Sequence, residues 1–329
     1  MSASPIAVPL GIDISKVSFD VALLQASNRA KRAKFDNTAA GFEQLNEWLK
    51  AQDIEQVHAC MEATNTYGHA LARYLHHQGH PVSIVNPARI KGYGKSQLSR
   101  TKNDAADASL IARFCRDLKP TLWHPAPDEV AKLQMLTRRL ETLEQMMTQE
   151  KNRRELCDDD ELRADIDAHI EFLEAQETSL KKRLQQHIQA HDRLAKQQAL
   201  LESITGIGTQ TALTVLGEIG SIEVFGSARQ LAAFAGLTPQ EFQSGSSING
   251  KTRLCKIGNA RLRKALYFPA LVMIRYCPEI QAFRQRLLAA GKQKMQVVGA
   301  VMHKLIRIIY GVLSSEEKFD SAKLVPQNT

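Results

Sequence analysis

The hydrophobic pattern of the first 24 residues predicts two adjacent strands. The run from Ile6 to Ile14 is nearly continuous in apolar residues, as expected for a strand buried on both faces. A short polar–apolar alternation over Ser18 to Val21 indicates the second strand. Asp13 lies inside the first strand, where an ionised carboxylate is costly to hold unless it is paired or binds a metal. Asp13 is therefore the first candidate for a chemical role.

Strands and helices then follow in the order of a mixed sheet. We predict strands over Asn28–Phe35, Gln56–Met61 and Pro81–Val85, and helices over Ala39–Ala51 and Tyr67–Gln78. Three consecutive strands followed by alternating helices and strands are typical of an α/β sheet with helices on its faces.

The pattern changes after this region. The cation-rich segment Asn86–Lys102 contains Gly92 and Gly94 and predicts a polar loop, and the alanines of KNDAADASLIARFC predict a helix after it. Beyond Pro127, apolar residues step by three and four positions in two successive series, which are separated by the acidic patch Asp158–Glu161. They predict two long antiparallel helices, as in a coiled-coil hairpin. The pattern leaves open whether this hairpin packs within one subunit or mediates dimerisation.

The remaining third of the chain is predicted to be helical. Gly206 and Gly208 lie between two short helices in ITGIGTQTALTVLGEIG, as in helix-hairpin-helix turns that bind DNA phosphates through backbone N–H groups. A plain helical turn is nearly as well supported. Two apolar helices, Arg261–Tyr276 and Met295–Leu313, are predicted to close this region, and the residues beyond Ser315 are predicted to form a frayed tail.

Positive charge is concentrated in this last region. The chain has 43 Lys and Arg against 35 Asp and Glu, a net charge of +8. Thirteen of the basic residues but one acid, Glu279, lie between Phe242 and Ser315, so this segment carries +12 and the rest of the chain about −4. An anionic partner is therefore expected.

Cysteine spacing and the length of apolar runs indicate the compartment. The five cysteines are scattered without a CxxC pair, as in the reduced thiols of a cytosolic protein rather than a disulfide frame or a zinc site. No apolar run reaches 18 residues, and no charged segment leads into a long apolar one at the N-terminus. We therefore expect a cytoplasmic protein with no membrane contact.

Four acids lie where predicted strands end or a helix begins: Asp13, Glu62, Asp104 and Asp107. Asp104 and Asp107 are three residues apart and share one face of a helix, and Glu62 ends the strand expected beside the first one. Carboxylates brought together repel unless divalent cations lie between them, and oxygen ligands suit Mg²⁺ or Mn²⁺, which support phosphodiester chemistry. Taken singly, each acid could be a helix cap or a solvated turn residue. Three further acids lack such a setting and are expected to be solvated or turn residues: Asp20, Asp36 and Asp53.

Three serines form a second group of candidates. Ser244, Ser246 and Ser247 lie in a glycine-bearing segment beside Lys251 and Arg253. A serine amid cations can attack a phosphodiester, because the cations stabilise the charge that develops on the phosphate. The residues alone favour the simpler interpretation, a loop that only hydrogen-bonds phosphates.

Seven segments, taken in order, resemble one family. They are GIDISKVSFDVALL, MEATNTYG, NPARIKGYGKS, TKNDAADA, ITGIG, FAGLTPQEFQSG and GNARLRKALY. Together they resemble the DEDD transposases of bacterial insertion sequences, described as bridge-RNA-guided serine recombinases, over about Leu10 to Leu313. The acid-bearing segments are specific jointly, whereas GIDIS alone is not.

The resemblance implies an α/β plus all-α architecture. Its parts are an RNase H-like (RuvC-like) mixed-sheet domain over 1–122, an antiparallel coiled-coil hairpin over 123–195, a helical C-terminal transposase domain over 196–315 and a flexible tail over 316–329. The first domain would hold Mg²⁺, or Mn²⁺, through the four acids: Asp13, Glu62, Asp104 and Asp107. Ser244 of the QSG element would form a covalent phosphoserine link to DNA, and Ser246 and Ser247 are the alternatives in the same segment.

The resemblance also implies partners. The acids of one subunit would meet the serine of another, which makes the working enzyme a homo-oligomer, dimer or tetramer, acting at the nucleoid in the bacterial cytoplasm. An element-encoded structured guide (bridge) RNA would pair with donor and target DNA, so that base pairing chooses the sequence. Nine basic residues are the expected nucleic-acid contacts: Arg89, Lys91, Lys95, Lys251, Arg253, Lys256, Arg261, Arg263 and Lys264.

Three other functions share parts of the pattern. A Mg²⁺-dependent RuvC-like junction-resolving endonuclease would need the four acids but no serine nucleophile. In a non-catalytic nucleic-acid-binding protein the acids would be incidental. An actin-like sugar kinase or ATPase also begins with a GIDIS-like loop, but the sequence has no second glycine-rich phosphate loop, and a segment of +12 is not expected there.

Overall fold

The computed structural model describes residues 7–25, 29–63, 67–97, 104–240, 243–244, 248–249 and 253–324. Of these, residues 104–105, 243–244 and 248–249 are described by their backbone alone. The chain forms two compact units, Met1–Pro125 and Ala126–Thr329, each with its own hydrophobic core. The finer division at residues 122, 195 and 315 stays a prediction.

The first unit is built on a five-stranded mixed sheet. Its strands are β1 (Val8–Ile14), β2 (Ser18–Leu24), β3 (Ala30–Asp36), β4 (Val57–Glu62) and β5 (Val82–Val85), in the spatial order β3-β2-β1-β4-β5. Strands β1, β2 and β3 are antiparallel neighbours, and β4 and β5 run parallel to β1. The central place of β1 follows from its apolar sequence, which suits a strand covered on both faces. The predicted mixed α/β sheet is confirmed.

Helices cover both faces of this sheet. On one face, α1 (Ala39–Lys50) and α2 (His69–His77) contribute Leu45 and Leu71 to a core that includes Ile12 of β1. On the other face, α4 (Asp104–Leu118) buries Ala108 and Ala112 in a cluster with Ala22 of β2. Small residues at this second contact allow the helix to approach the sheet closely.

Helix α3 (Pro87–Ser96) corrects most of the polar loop predicted over Asn86–Lys102, and residues 98–102 of that prediction lie outside the described residues. The Asn86 side chain caps the helix by accepting a backbone N–H, and Pro87 occupies the first helical position, where an N–H is not needed. Ile90 is buried against the core beneath α4. Gly92 and Gly94 favour a loop, because each glycine costs a helix about 1 kcal/mol. The helix forms nonetheless, because packing of its apolar side chains outweighs this cost.

The second unit begins with two long helices, α5 (Asp128–Glu155) and α6 (Asp160–Gln189). They run antiparallel, because Arg154 at the end of α5 pairs with Asp167 near the start of α6. Leu140, a member of the predicted apolar series, is fully buried. Both predicted helices are therefore present, and their assembly as an intermolecular coiled coil stays a prediction.

Shorter elements complete the second unit. The described helices are α7 (Asp192–Glu202), α8 (Thr209–Ile219), α9 (Ala228–Phe234), α10 (Ala260–Ala265), α11 (Tyr267–Tyr276), α12 (Pro278–Ala289) and α13 (Lys294–Ser315). Four two-residue strands lie between α9 and α10: β6 (Pro239–Gln240), β7 (Gln243–Ser244), β8 (Ile248–Asn249) and β9 (Arg253–Leu254).

Two details of the predicted C-terminal helices are corrected. The single helix predicted over Arg261–Tyr276 is two helices, α10 and α11, because Pro269 has no N–H to donate to the preceding turn of a continuous helix. Helix α12 was not predicted, since among its described residues it buries only Ile280 and so has a weak apolar pattern.

The segment that follows α13 corrects the predicted frayed tail. The backbone N–H of Phe319 donates to the Ser203 hydroxyl at 2.8 Å, and the Ser321 hydroxyl donates to Glu279 at 3.0 Å. A short 3₁₀ turn covers Ser321–Leu324. Residues 316–324 are therefore held on the second unit by polar contacts that apolar periodicity cannot predict, and residues 325–329 lie outside the described part.

One described helix, α13, is long and apolar enough to cross a membrane by length and composition alone. Of its most apolar stretch, 56% is buried, and Val301, Leu305 and Ile309 are fully enclosed in the core of the second unit. In this structure α13 is therefore a core helix.

Candidate active site

The carboxyl ends of β1 and β4 bring two of the predicted acids side by side. In the parallel pairing of these strands Ile12 lies beside Met61, and Asp13 and Glu62 are the next residues on the two strands. Neighbouring strands lie about 4.8 Å apart, and side chains at equivalent positions share a face. The register therefore puts Asp13 and Glu62 on adjacent strands and on one face of the sheet.

Helix α4 covers that face and comes very close to β1. A Cβ atom built on Gly11 would lie 2.1 Å from the carbonyl oxygen of Ala108 and 2.3 Å from the backbone nitrogen of Ala112. Because side chains alternate along a strand, Asp13 is on the same face as Gly11. The glycine thus lets the helix backbone lie directly on the strand, two residues before the acid.

The direction of α4 decides which of its residues come near the acids. The Cys115 thiol, toward its C-terminal end, donates to the His58 carbonyl oxygen near the start of β4, at 3.5 Å. Ala108, nearly two turns earlier, lies over Gly11 in the middle of β1. The helix therefore runs antiparallel to β1 and β4, and its first turn extends toward their carboxyl ends.

The first turn of α4 carries the other two predicted acids. Asp107 precedes Ala108 and so lies at the end of the sheet that bears Asp13 and Glu62. Asp104 begins the helix at this same end, and its side chain lies outside the described atoms. We call the carboxyl ends of β1 and β4 together with the first turn of α4 the acid edge.

The donor atoms of the acid edge suit a hard divalent cation, since Mg²⁺ and Mn²⁺ prefer carboxylate oxygens. Among the side chains that the structure describes, no three Asp, Glu, His or Cys groups lie close enough together to hold a metal ion. Asp104 does not belong to that set. The ligand type therefore fits a divalent cation, and the complete ligand set stays a prediction.

Asp20 is an acid that the sequence analysis assigned to solvent or a turn, and the structure corrects this. The antiparallel register pairs it with Asp13, and directly paired residues of such strands share a face. Its carboxylate lies 3.4 Å from the Lys34 ammonium of β3, next in the same row. The short connection between β1 and β2 fixes this register, so counting across the hairpin would have found Asp20.

The predicted nucleophile lies on a short hairpin of the second unit, which we call the serine hairpin. Strand β7 pairs with β8, and Ser244 lies opposite Ile248. The side chain of Ser244 is outside the described atoms, and Ser246 and Ser247 are outside the described residues. The choice among the three serines therefore stays a prediction.

A second pair of strands closes the base of the serine hairpin. Strands β6 and β9 are antiparallel, with Pro239 opposite Leu254. Just outside them, the N–H of Cys255 donates to the carbonyl oxygen of Thr238 at 2.9 Å. The Leu254 side chain packs on α13 at Gly299, where a Cβ would lie only 3.1 Å from it. The chain thus leaves and re-enters the helical unit at one fixed place.

A buried carboxylate anchors the segment that follows β9. Glu218 of α8 has a side chain that is 2% exposed, and it accepts two hydrogen bonds from the Arg138 guanidinium, at 2.8 and 3.0 Å. It also accepts from the Asn259 amide at 2.8 Å, and Asn259 caps α10. Burial opposes ionisation, but the hydrogen bonds from Arg138 and Asn259 outweigh it and hold the pKa of Glu218 below its ordinary value. Glu218 was not among the predicted site residues, although an acid inside the apolar segment TVLGEIG is a signal visible in the sequence.

Among the predicted nucleic-acid contacts outside α10, five are exposed: Arg89, Lys91, Lys95, Arg253 and Lys256. The Arg89 guanidinium lies over the Phe114 ring, 5.5 Å from its centre, in a cation–π contact. Lys251 is outside the described residues.

The other three basic residues belong to α10 and have intramolecular partners. Arg261 and Lys264 both pair with Glu141 of α5, at 3.1 and 3.0 Å. Arg263 donates to the carbonyl oxygen of Ala235 at 3.0 Å. These contacts orient α10, and any role of the three in binding nucleic acid stays a prediction.

The turn with Gly206 and Gly208 connects α7 to α8, as the sequence predicts. Gly208 is the N-cap of α8. Gly206 has φ +93°, and a Cβ there would lie 2.7 Å from the carbonyl oxygen of Pro269. The glycine is therefore required by the close approach of α11, and a contact of this turn with DNA phosphate stays a prediction.

Acids that can bind a divalent cation and basic side chains that can bind phosphates are the residues used in metal-assisted phosphodiester chemistry, and this chain carries both kinds. Comparison with known proteins also indicates an enzyme that acts on DNA. The family model for DEDD transposases of the IS110 type matches residues 10–156. A second family model, for transposases of the IS116/IS110/IS902 family, matches residues 198–285.

Relatives match over nearly the whole chain. Pilin gene-inverting proteins of Moraxella bovis and Moraxella lacunata are 36% and 35% identical over 315 residues, which cover 94% of this chain and 97% of each relative. The transposase for insertion sequence element IS1111A of Coxiella burnetii is 30% identical over 122 residues, 36% of this chain and 33% of that protein.

The chain belongs to the IS110 family of transposases, and it is a DNA transposase or recombinase. The resemblance drawn from the seven sequence segments is confirmed at the level of this family. Membership also suggests a divalent metal ion, whose identity it leaves open.

Proposed function

We propose that this enzyme exchanges DNA strands through a covalent phosphoserine intermediate and is directed to its sites by a structured guide RNA encoded with it. Ser244 is the proposed nucleophile, and Mg²⁺, or Mn²⁺, the proposed cofactor. Its proposed ligands are the four acids Asp13, Glu62, Asp104 and Asp107. The observation that carries the proposal is that β1, β4 and the first turn of α4 end at the same edge of the sheet.

In the proposed cleavage step, the Ser244 oxygen attacks the phosphorus of a DNA phosphodiester. A bond from phosphorus to the serine oxygen forms while the bond to one deoxyribose oxygen breaks. The serine loses its proton, and the leaving oxygen gains one and becomes a free hydroxyl. In the joining step a hydroxyl of the other strand attacks the phosphoserine, and the serine oxygen leaves and is reprotonated. The number of phosphoester bonds is conserved, so the exchange needs no external energy source.

A divalent cation bound at the acid edge would supply positive charge that stabilises the attacking and leaving oxygens. The protein's own contribution is to hold the carboxylates in place. Gly11 fixes α4 on β1, and the strand register fixes Asp13 beside Glu62. The exposed cations Arg253 and Lys256 follow the serine hairpin and are suited to hold the phosphates of the bound strand.

We propose that the site is completed between subunits of a dimer or tetramer that acts in the bacterial cytoplasm. The acids and the serine lie on separate units of the chain, which makes such sharing feasible. The α5–α6 hairpin is the proposed contact between copies. Its exposed apolar side chains Leu156, Leu162 and Phe172 support this role.

A covalent-adduct assay tests the mechanism. Full-length protein is incubated with Mg²⁺, DNA carrying the element ends, and RNA transcribed from the element, and the products are separated under denaturing conditions. We expect a protein–DNA adduct that requires Asp13 and Ser244 and is lost on RNase treatment. Ser246→Ala and Ser247→Ala are matched controls that should retain it. Cleavage that survives Ser244→Ala but still needs Asp13 would favour a junction-resolving endonuclease, and binding without any cleavage would favour a non-catalytic protein.

DNA inversion is a second candidate, favoured by the two relatives that match nearly the whole chain, both of which are named pilin gene-inverting proteins. Inversion and transposition share the same cleavage and joining steps and differ in how the two sites are arranged. A plasmid with two sites in opposite orientation distinguishes them. Reversal of the intervening segment would support inversion, and transfer of the element to a second plasmid would support transposition.

A further inference from the structure

Helix α11 exposes an apolar strip to solvent. Phe268 and Tyr276 are 73% and 62% exposed, and Val272, halfway between them, is 37% exposed. The three residues are four positions apart, so they follow one side of the helix over about 12 Å. The opposite side is already used, since Ala270 and Met273 are fully buried. We call these three exposed residues the aromatic strip.

Cations lie at both ends of the aromatic strip. At the C-terminal end, the Arg275 guanidinium lies 5.4 Å from the centre of the Tyr276 ring. At the N-terminal end, Phe268 lines a shallow cavity of about 410 Å³ together with Arg263 and Lys264 of α10. A flat apolar ring flanked by cations suits a ligand that is flat and apolar in one part and anionic in another.

The charge of the surrounding segment selects the class of ligand. Thirteen basic residues and a single acid, Glu279, lie between Phe242 and Ser315, and Glu141 of α5 pairs with only two of these cations, Arg261 and Lys264. A nucleic acid with unpaired bases has the required composition, because every base has an apolar face and every nucleotide a phosphate. Paired bases in a duplex hide those faces, so a duplex would meet only the cations.

We propose that the aromatic strip binds unpaired nucleotides by stacking bases on Phe268 and Tyr276. The inference rests on the proposed function in one respect, that the enzyme handles strands which separate and pair again. It does not depend on the serine chemistry. The strip is too small for a stable contact between copies, because three side chains cover about 500 Å² at most, against about 800 Å² per partner in a specific protein interface.

The test compares Phe268→Ala and Tyr276→Ala with the control Met135→Ala, which removes an apolar side chain that is 65% exposed on α5. Affinity is measured by fluorescence anisotropy for a labelled single-stranded RNA, the same sequence as single-stranded DNA, its duplex, and a DNA strand with abasic sites. We expect each aromatic variant to bind single strands about tenfold more weakly, with duplex and abasic DNA affected less than twofold. Met135→Ala should bind all four ligands normally.

Several results would overturn the inference. Unchanged single-strand affinity would remove the stacking role, and an equal loss on abasic DNA would assign the effect to charge or folding. Loss of oligomers in sedimentation experiments with normal strand binding would make the strip a contact between copies. A larger loss of affinity for single-stranded RNA would support the inference and identify a guide RNA as the ligand. A larger loss of affinity for single-stranded DNA would also support it and identify unpaired DNA as the ligand. Ser244→Ala should bind every ligand normally, so a failure of the serine mechanism leaves this assay intact.

Discussion

The acid edge and the serine hairpin support their candidate residues in opposite ways. At the acid edge, the acids sit on elements of six to fifteen residues whose neighbours are buried, and the strand register sets their position. The serine hairpin is built from strands of only two residues each. It is held in place by hydrogen bonds at its base, such as that from the Cys255 N–H to the Thr238 carbonyl oxygen. We therefore expect packing changes to damage the first site and losses of polar anchors to damage the second.

The largest effect is expected at the acid edge itself. Asp13→Asn keeps the shape of the side chain but removes the charge that would bind a cation. Strand cleavage should fall at least about 100-fold, since even outer-shell partners of metal sites can cost that much. The matched control is Asp53→Asn, because Asp53 is exposed and has φ +56°, which Asn also adopts readily. Cleavage rates and thermal unfolding are measured together, and normal cleavage by Asp13→Asn would remove the acid from the mechanism.

Gly11→Ala tests whether packing fixes the acid edge. The new methyl group would meet the α4 backbone at 2.1 Å, and a backbone atom cannot move away as a side-chain tip can. The free energy of unfolding should fall by about 3 kcal/mol or more. Gly92→Ala is the control, because nothing lies within 4 Å of its Cβ position and helix α3 should gain up to about 1 kcal/mol. Denaturant unfolding of both variants checks the prediction, and equal stabilities would mean that α4 does not constrain β1.

The sequence could predict the acid edge because its signals are local. A continuous apolar run identified β1 as a central strand, and Asp13 was conspicuous inside it. The three-residue spacing of Asp104 and Asp107 on a helix was also visible directly. The register that aligns Asp20 with Asp13 was available in the same hairpin, but an alternating strand made Asp20 look like an ordinary solvent-facing residue.

The supports of the serine hairpin could not be predicted in this way. Glu218 meets Arg138 across 80 positions and Asn259 across 41, and no periodic pattern connects such residues. Helix α3 was missed for a related reason, because the burial of Ile90 and other tertiary contacts overrides two glycines. Ser244 was selected only through family resemblance, since a serine in a basic loop has no local signature of its own.

Glu218→Gln tests the anchor beyond the serine hairpin. It leaves Arg138 without its carboxylate, and the free energy of unfolding should fall by about 3 kcal/mol at neutral pH. Because folding lowers the pKa of Glu218, its contribution is complete above the ordinary glutamate pKa and disappears as the pH falls through the lower folded value. The stability difference between wild type and variant should therefore shrink below about pH 4. A difference that is independent of pH would assign the loss to packing.

Asp20→Asn is expected to give the smallest effect. It removes a charge next to Asp13 but leaves the strand pairing intact, and Lys34 loses its partner. Cleavage should change by several-fold and the dependence on Mg²⁺ concentration should shift, because a neighbouring carboxylate helps to hold a cation. Lys34→Ala serves as the comparison, since it removes the partner and keeps the acid. If neither variant shifts the Mg²⁺ dependence, Asp20 takes no part in holding the cation.

The closed base of the serine hairpin has a consequence for how the family can diversify. Twelve residues lie between Gln240 of β6 and Arg253 of β9, and both strands are joined side by side where they meet the helices. Doubling the length of a segment closed in this way costs only about 0.6 kcal/mol of chain entropy. The segment that carries Ser244 can therefore change in length at little cost in free energy while the helical unit that holds its ends keeps its fold.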